Sequence, residues 1–583
     1  MKLSTVPRSL LLTSLLAVLP ATQAMASSAD EAFKKLYTSE WKWRESQQLV
    51  DDESSNSFSS SLPHVDEATQ QAHLKYWQGV EAKLAKIDQS KLTYKDEVSY
   101  KVYKEQLDTM MTDIKFKVYQ RPLSGDTSFW GDLTYVPQSD FHSEQDYRDY
   151  LKWLSSMPRY FDENIDNMRA GLKRGFTLPK VTLKGRDVTA QTVVDAKPKD
   201  NPFFAPFTHY PAHMPKSVQD ELTKEGLAAM AKYVIPAHEH VLTFLRKEYI
   251  PGAVTSIAAY DLPNGKAFYQ SQIKEYSTLD MTPTQIHNIG LEEVAKIHKR
   301  MLKVMHQVHF KGDLHQFFHF LRTDPQFYAK TPQELLNHAA WIAKEFDGVA
   351  DKWFGRLPRR RFAIVPVPPD IAPFYTGGRG GPGIYLVNTY DLPSRPLYSL
   401  PALTMHESAP GHAFQMPLAQ ENKDLPVFRR NYFISGYGEG WAVYCESLGE
   451  EMGIYHTPYE VFGMLNYQMW RAARLVVDTG IHAQGWSRKQ AQDYLLQNTS
   501  LSKHEITTEV DRYIAWPGQA VSYYLGEMAI KKDRARAEKA LGRKFDIRHF
   551  HDTVLQMGSV PLDVLSARID KFIKDGGPSP YKD

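Results

Sequence analysis

Three residues in the stretch His406-Glu407-Ser408-Ala409-Pro410-Gly411-His412 have the right types for metal-assisted hydrolysis. Imidazole nitrogens bind zinc, and a carboxylate beside them can take a proton from water. The familiar helical arrangement spaces its two histidines four residues apart, which puts both rings on one face with the glutamate next to the water. Here the histidines are six apart. That is about 600° of rotation, so on an unbroken helix the rings would diverge by about 120°. Pro410 and Gly411 offer a way out. Proline lacks the N–H that continues the hydrogen-bond ladder, and glycine tolerates unusual backbone angles. Without those two residues the text reads His-Glu-Ser-Ala-His, the usual spacing. The expectation is a helix carrying a two-residue bulge that returns His412 to the metal. The structural alternative is a helix ending at Pro410, with His412 in a capping turn.

A third ligand is expected from a later helix. Gly438-Glu439-Gly440-Trp441-Ala442-Val443-Tyr444-Cys445-Glu446 places two carboxylates seven residues apart. Seven residues turn a helix through about 700°, so Glu439 and Glu446 share one face. Ala442 and Val443 lie on that face, and carboxylates partly buried there need a metal or a cation. Glu439 is assigned as the ligand and Glu446 as the group that orients a histidine from behind. The converse, Glu446 as ligand and Glu439 as support, stays open.

Further along, Arg471, Arg474, Asp478 and His482 form a helical stripe among Leu475, Val476, Val477 and Ile481. As structure, the stripe is an arginine–aspartate network locking two helices. As function, His482, oriented by Asp478, donates to a tetrahedral intermediate, or Arg474 receives a substrate carboxylate. Tyr513, Tyr523 and Tyr524 surround the turn Pro517-Gly518-Gln519, and a tyrosine there is a candidate oxyanion donor. Tyr385 and Asn388 are candidates to hold a substrate backbone by strand addition.

These residues must be positioned by mainly helical structure. Thr282-Pro283-Thr284-Gln285 and Thr331-Pro332-Gln333-Glu334 both read as a threonine cap, a proline at the first helical position and a capping-box partner. Amphipathic runs follow: Ile286, Ile289, Val294 and Ile297, then Leu335, Leu336, Ala339 and Ile342. Residues 186–215 lack a helical period and read as a surface excursion or a link between lobes. Residues 356–396 are rich in proline and glycine, with Ile384-Tyr385-Leu386-Val387 reading as a strand just before the histidines. The glycine run 377–383 is not a phosphate loop, because it lacks the Gly-Lys-Ser/Thr ending.

Lys2 and Arg8, the apolar Leu10–Leu19 and the small residues Ala24-Met25-Ala26 form the pattern of a secretory signal peptide over residues 1–26. The mature chain is then expected in the periplasm or outside the cell. No cysteine near the expected cleavage point offers a lipid anchor. Cys445 is the one cysteine of the chain, so the fold rests on its core rather than on disulfides. Seventy basic against 68 acidic residues give a net charge of +2. That balance points to neither nucleic acid nor a membrane surface as the main partner. No stretch after the N-terminal one reaches the roughly 20 apolar residues a span needs, so no stable membrane insertion is expected. With 583 residues the chain is long enough for two lobes. The division expected is an N-terminal helical lobe over 27–270 and a catalytic helical lobe over 271–583.

Four stretches taken together resemble the bacterial family known as domain of unknown function 885. They are His406-Glu407-Ser408-Ala409-Pro410-Gly411-His412-Ala413-Phe414-Gln415, Glu439-Gly440-Trp441-Ala442-Val443-Tyr444-Cys445-Glu446, the run from Arg471 to His482, and Pro517-Gly518-Gln519-Ala520-Val521-Ser522-Tyr523. The resemblance covers most of the mature chain and is densest from about 380 to 565. One departure is Ala413, where the family often has a second histidine. The family is similar in organisation to helical zinc peptidases such as thimet oligopeptidase and angiotensin-converting enzyme. The resemblance implies a large two-lobed helical metallopeptidase with a deep central cleft and a small β element beside the active site. It implies one zinc per chain, held by His406, His412 and Glu439, with Glu407 activating water and Tyr523 or His482 steadying the oxyanion. Short peptides are the expected substrates. An exported peptide- or metal-binding protein without catalysis, and a metal-dependent hydrolase of another bond, are the alternatives.

Overall fold

The computed structural model describes residues 27–50, 59–124, 127–369 and 371–581. The expected signal segment, 1–26, lies outside the described residues. Most of what is described is helix, and the helix ends carry the cap chemistry read from the sequence. Pro283–Gln307 starts behind Thr282, whose hydroxyl accepts from the Gln285 N–H while the Gln285 side chain accepts from the Thr282 N–H. Pro332–Asp347 starts behind Thr331 with only the first of these bonds, because the Glu334 carboxylate turns to the Lys330 N–H instead. Each such cap satisfies backbone donors that have no partner inside the helix.

Two large hydrophobic cores form, with a minor cluster of Val367, Ala372 and Tyr375 apart from them. The larger joins residues from Phe33 to Ile114 with residues from Ala259 to Phe572. The smaller gathers Leu62, the span from Leu123 to Ala253, and Ala515. The packing therefore does not divide at residue 270. The helices Ser28–Ser46, Glu67–Leu84 and Tyr94–Phe116 bury their apolar residues in the same core as the C-terminal half. Residues 186–215 are also not a mere excursion. They hold a short helix, Val188–Asp195, and a turn, Pro202–Thr208, that buries Phe203, Phe204 and Phe207 in the smaller core. Those phenylalanines, not helical periodicity, determine where the segment goes.

The axis of the larger core is the helix Pro458–Gln484. Every residue from Phe462 to His482 is buried. It starts at a Thr457–Glu460 capping box and stops at Gly485, whose φ of 72° is left-handed. A helix enclosed on all sides belongs inside a large core, and its charged side chains must find partners there. A second pair, Ser435–Met452 and Ser522–Leu541, meets at glycines. A methyl group on Gly440 would fall 2.5 Å from the Gly526 Cα, and one on Gly526 would fall 1.9 Å from the Gly436 carbonyl oxygen. Only hydrogen at these positions lets the backbones come this close, which brings Glu439 and Tyr523 to one place.

A small sheet completes the surroundings. Its strands are β1 (Ala363–Pro366), β2 (Gly378–Gly381) and β3 (Ile384–Val387), in the order β1-β3-β2. β3 is the strand expected over 384–387; it pairs parallel with β1 and antiparallel with β2. Among the described residues, no helix is long and apolar enough to cross a membrane.

Candidate metal centre

His406 lies in the last turn of a short, wholly buried helix, Leu400–Glu407. His412 opens the next helix, His412–Glu421. The expected bulge within one helix is therefore not what forms. Ser408 leaves the helical conformation, and Ser408–Gly411 is a break between two helices. Pro410, in a cis peptide after Ala409, has no N–H with which to continue the ladder. Gly411 closes the gap. Its N–H donates to the Met405 carbonyl at 3.1 Å, and a methyl group there would fall 1.8 Å from the His406 carbonyl oxygen. The Trp441 indole N–H fixes the break by donating to the Pro410 carbonyl at 2.8 Å.

The break brings the two histidines together. The two imidazole rings lie 5.0 Å apart and nearly perpendicular, at 86°. Glu439 Oε2 sits 3.3 Å from His406 Nε2 and 3.2 Å from His412 Nε2. One ligand atom from each residue lies within 4.8 Å of the others, so the three could hold a metal ion. Glu446 stands behind them. Its Oε1 is 2.7 Å from His406 Nδ1 and 3.3 Å from Arg471 Nη2. Of the two assignments left open by the sequence, the geometry has Glu439 facing both Nε2 atoms and Glu446 supporting from the other side. The charges are strongly coupled. Burial alone would lower the His406 pKa, but Glu407, Glu439 and Glu446 overcome it and raise it to about 9. Burial alone would raise Glu439, but His412 and His406 reverse that and hold its carboxyl well below the ordinary range.

Glu407 stands beside the triad without joining it. Its Oε1 is 3.9 Å from His406 Nε2, and its Oε2 accepts from the Gly380 N–H at 2.6 Å. Gly380 belongs to β2. A methyl group there would fall 1.7 Å from the Glu407 carbonyl oxygen, so this part of the glycine run exists to let a strand lie against the end of the His406 helix.

A cavity of about 430 Å³ opens onto the site. The triad, Glu407, Tyr523 and Arg474 all line it. The Tyr523 ring stacks at 16° to His406, with centroids 6.2 Å apart. Its hydroxyl accepts from Arg512 Nη2 at 3.0 Å and from Gln519 Nε2 at 3.3 Å.

Four expected site residues lie elsewhere. His482 is enclosed, with Nδ1 accepting from the Ala259 N–H at 3.1 Å and Nε2 donating to the Tyr513 carbonyl at 3.0 Å. It has no free nitrogen for an intermediate, and burial lowers its pKa to about 4. Asp478 does not orient His482. It accepts from the Tyr269 hydroxyl at 2.5 Å and the Gly518 N–H at 3.2 Å, and burial pushes it up to about 7. Tyr385 points into the core, its hydroxyl 3.3 Å from Thr404 Oγ1. Asn388 spends its amide on the carbonyls of Ala372, Tyr375 and Thr376, each at 3.0 Å. The strand that lines the cavity is β2, not β3. Arg474 does reach the cavity wall but is committed there to Glu509 at 2.8 Å and the Tyr513 hydroxyl at 2.8 Å. Arg512, Gln519 and the Gly380 N–H were not anticipated. The spacing Glu505, Glu509, Arg512 on the helix Lys503–Ala515, four then three, is the signal that could have found the first of them.

Two solved structures share this architecture. One, of a candidate lipoprotein from Colwellia psychrerythraea, superposes with a TM-score of 0.84 at 26% identity and covers 94% of this chain and 100% of its own. The other, of a candidate lipoprotein of unknown function from Shewanella oneidensis, gives a TM-score of 0.69 at 18% identity, covering 93% and 99%, and shows likeness of fold alone. None of the curated proteins compared with the chain matches it. The model of the family described as bacterial protein of unknown function (DUF885) matches residues 50–569, and the chain belongs to that family.

Proposed function

We propose that this protein is an exported zinc-dependent hydrolase that cleaves the amide bonds of short peptides. The observation that carries the reading is a His406–His412–Glu439 donor set with a further carboxylate, Glu407, beside it and not needed by it. Ligands at the usual ~2.0–2.2 Å from a tetrahedral zinc stand about 3.3–3.6 Å apart. The Glu439 oxygen lies 3.3 and 3.2 Å from the two Nε2 atoms. The donor chemistry, two imidazoles and one carboxylate, is that of a catalytic rather than a closed structural site. Glu446 on His406 Nδ1 is the kind of support that fixes the tautomer of a ligating histidine. In this reading the two cores are the lobes of the enzyme and the cavity is its cleft.

When bound, zinc would supply a Lewis acid for the substrate carbonyl and make water more acidic. The chain's own groups supply the rest. Glu407, steadied by the Gly380 N–H, takes a proton from the attacking water and returns it to the leaving amine as the C–N bond breaks. Tyr523 donates to the carbonyl oxygen as it gains charge. Both of its acceptor positions are filled by Arg512 and Gln519, so its own proton is what remains to offer. A periplasmic or secreted location is supported by the signal pattern over 1–26 and by the relatives described as candidate lipoproteins.

A peptide- or metal-capturing protein would need the triad but not Glu407. The test is metal content and peptide hydrolysis of the wild type beside Glu407→Gln. We expect about one zinc per chain in both proteins and turnover only in the wild type. Full turnover by Glu407→Gln would refute the mechanism. Zinc without hydrolysis in the wild type, across a peptide library, would leave the capture protein as the reading.

A further inference from the structure

Beside the triad, one wall of the cavity carries more positive charge than the peptidase reading uses. Arg471, Arg474 and Arg512 all pack on the Tyr523 ring, with guanidinium carbons 5.4, 4.3 and 5.9 Å from its centroid. All three line the cavity. The carboxylates set against them are shared. Glu446 serves Arg471 and also His406. Glu509 lies 2.8 Å from Arg474 and 3.6 Å from Arg512. Glu505, also in the wall, is paired with Arg395 at 2.5 Å. Arg471 Nε and Nη1 and Arg474 Nη1 are buried without a hydrogen-bond acceptor among the described residues. Guanidinium groups gathered in a low-dielectric wall repel one another, and buried donors lacking an acceptor cost free energy. An anion arriving in the cavity relieves both. Arg512 donates to Gln519 at 2.9 Å and to the Tyr523 hydroxyl at 3.0 Å. Its side chain is 14% exposed, against 3% for Arg471 and 2% for Arg474, so it is the member that an arriving anion meets first.

We propose that this wall receives the free C-terminal carboxylate of the substrate, so that the site cleaves near the carboxyl end of short peptides. The inference rests on the peptidase reading above and adds to it a direction and a length. Tyr523 links the two halves: His406 stacks on it at 6.2 Å, and Arg512 lies 5.9 Å from the same ring. Together these distances keep the arginine within about 12 Å of the His406 ring, the reach of three or four extended residues at ~3.3–3.6 Å each. A carboxylate held by Arg512 therefore leaves no more than the last few residues of a peptide between itself and the triad. Arg512 acts by binding, and through the Tyr523 hydroxyl it also positions the oxyanion donor.

The test uses the full-length, zinc-loaded protein and pairs of peptides identical except for a C-terminal acid or amide, with products read by mass spectrometry. We expect the acid to exceed the amide by about 100-fold in kcat/KM, the scale of losing one member of a desolvated charge pair. Cuts should fall within the last four residues. In Arg512→Gln the acid-to-amide ratio should fall at least tenfold, chiefly through KM for the acid, and Arg512→Lys should recover part of it. Equal rates for acid and amide in the wild type would overturn the proposal and leave the peptidase reading standing. So would amides cleaved only beside Asp or Glu side chains, which would assign the wall to an acidic side chain. An unchanged ratio in a folded, zinc-binding Arg512→Gln would overturn it as well. Failure of the wild type to cleave any peptide would bring down both readings.

Discussion

Gly411→Ala is the sharpest single perturbation of the histidine pair, because Gly411 contributes no side chain to the proposed zinc site. A methyl group at Gly411 would stand 1.8 Å from the His406 carbonyl oxygen, 2.5 Å from its carbon and 2.6 Å from the Met405 carbonyl oxygen. All three are backbone atoms, so no side chain can swing aside. Real contacts of this kind do not fall below 3.0 Å, so the gap must open by at least 1.2 Å, the difference between 3.0 and 1.8 Å. Gly411 is next to His412, and the atoms it would strike belong to His406 and its predecessor. The opening therefore separates the two ligands, where metal sites tolerate only ~0.2 Å. Zinc affinity should fall by more than about 100-fold, beyond the effect of losing an outer hydrogen bond. The metal-free fold should lose only ~1–3 kcal/mol as local overpacking, too little to move the Tm of so long a chain by more than about 3 °C. Competition titration against a chromophoric chelator and thermal melting by circular dichroism measure the two effects. Gly79→Ala is the control, since a methyl group there meets nothing within 4 Å. If Gly411→Ala bound zinc as tightly as the wild type, the break between the two helices would not be what holds the ligands together.

Glu446→Gln should weaken zinc by about 10–100-fold and destabilise the fold by ~3–5 kcal/mol, because it loosens His406 and strips the charge from the carboxylate that Arg471 pairs with. Chelator titration and urea unfolding read the two losses separately. Glu509→Gln leaves Arg474 buried beside a neutral group and should cost about as much stability, ~3–5 kcal/mol, while zinc affinity stays put, since Glu509 touches no ligand. His238, His482 and His551 are held neutral by burial at pKa values of about 4, 4 and 3, below the ordinary 6.5. Their contribution is whole above the ordinary value and is lost as pH falls from 6.5 towards 4, because only the unfolded chain takes up the protons. Each should steepen acid destabilisation by roughly 1 kcal/mol per pH unit, and His482→Asn should remove one such share from urea unfolding between pH 6 and 4.5. Burial pushes the Cys445 thiol well above its ordinary pKa. An aromatic disulfide reagent should leave it unlabelled in the native protein and modify it fully in guanidinium chloride; rapid native labelling would show that the Glu439 helix opens.

What was legible in the sequence was local. A threonine, a proline and a glutamine in order make a helix start wherever they fall, so Thr282 and Pro283 needed no knowledge of the rest of the chain. Ile384 to Val387 between turn residues made a strand for the same reason. His406, Glu407 and His412 fall within one short stretch, and Glu439 and Glu446 share one face of another, so each stretch could be singled out by its own spacing; that the two stretches meet is shown by the structure. What was not legible lies across the chain. Nothing near Asn388 shows that its amide will be consumed by Ala372, Tyr375 and Thr376, and nothing near His482 shows the Ala259 N–H that takes its Nδ1. The helix break was misread as a bulge because both satisfy the same demand on His412. The choice between them was made by Trp441 and Met405, which lie outside the motif.

The stripe Arg471, Arg474, Asp478, His482 shows how far spacing alone can be pushed. Its periodicity identifies one face of a helix and invites a single role. But eleven residues of helix rise about 16 Å, which is longer than any one metal site. The donor atoms here all fit within 4.8 Å of one another. A stripe of that length must pass several neighbours, and each member meets a different one: Glu446 for Arg471, Glu509 for Arg474, Tyr269 and Gly518 for Asp478, Ala259 and Tyr513 for His482. Only the first two come within reach of the cavity. The rise per residue, applied before any role was assigned, separates the arginine end from the histidine end. It follows that His482→Asn should cost stability and leave zinc affinity unchanged, whereas Arg471, 3.3 Å from the Glu446 carboxylate that backs His406, should not be so separable.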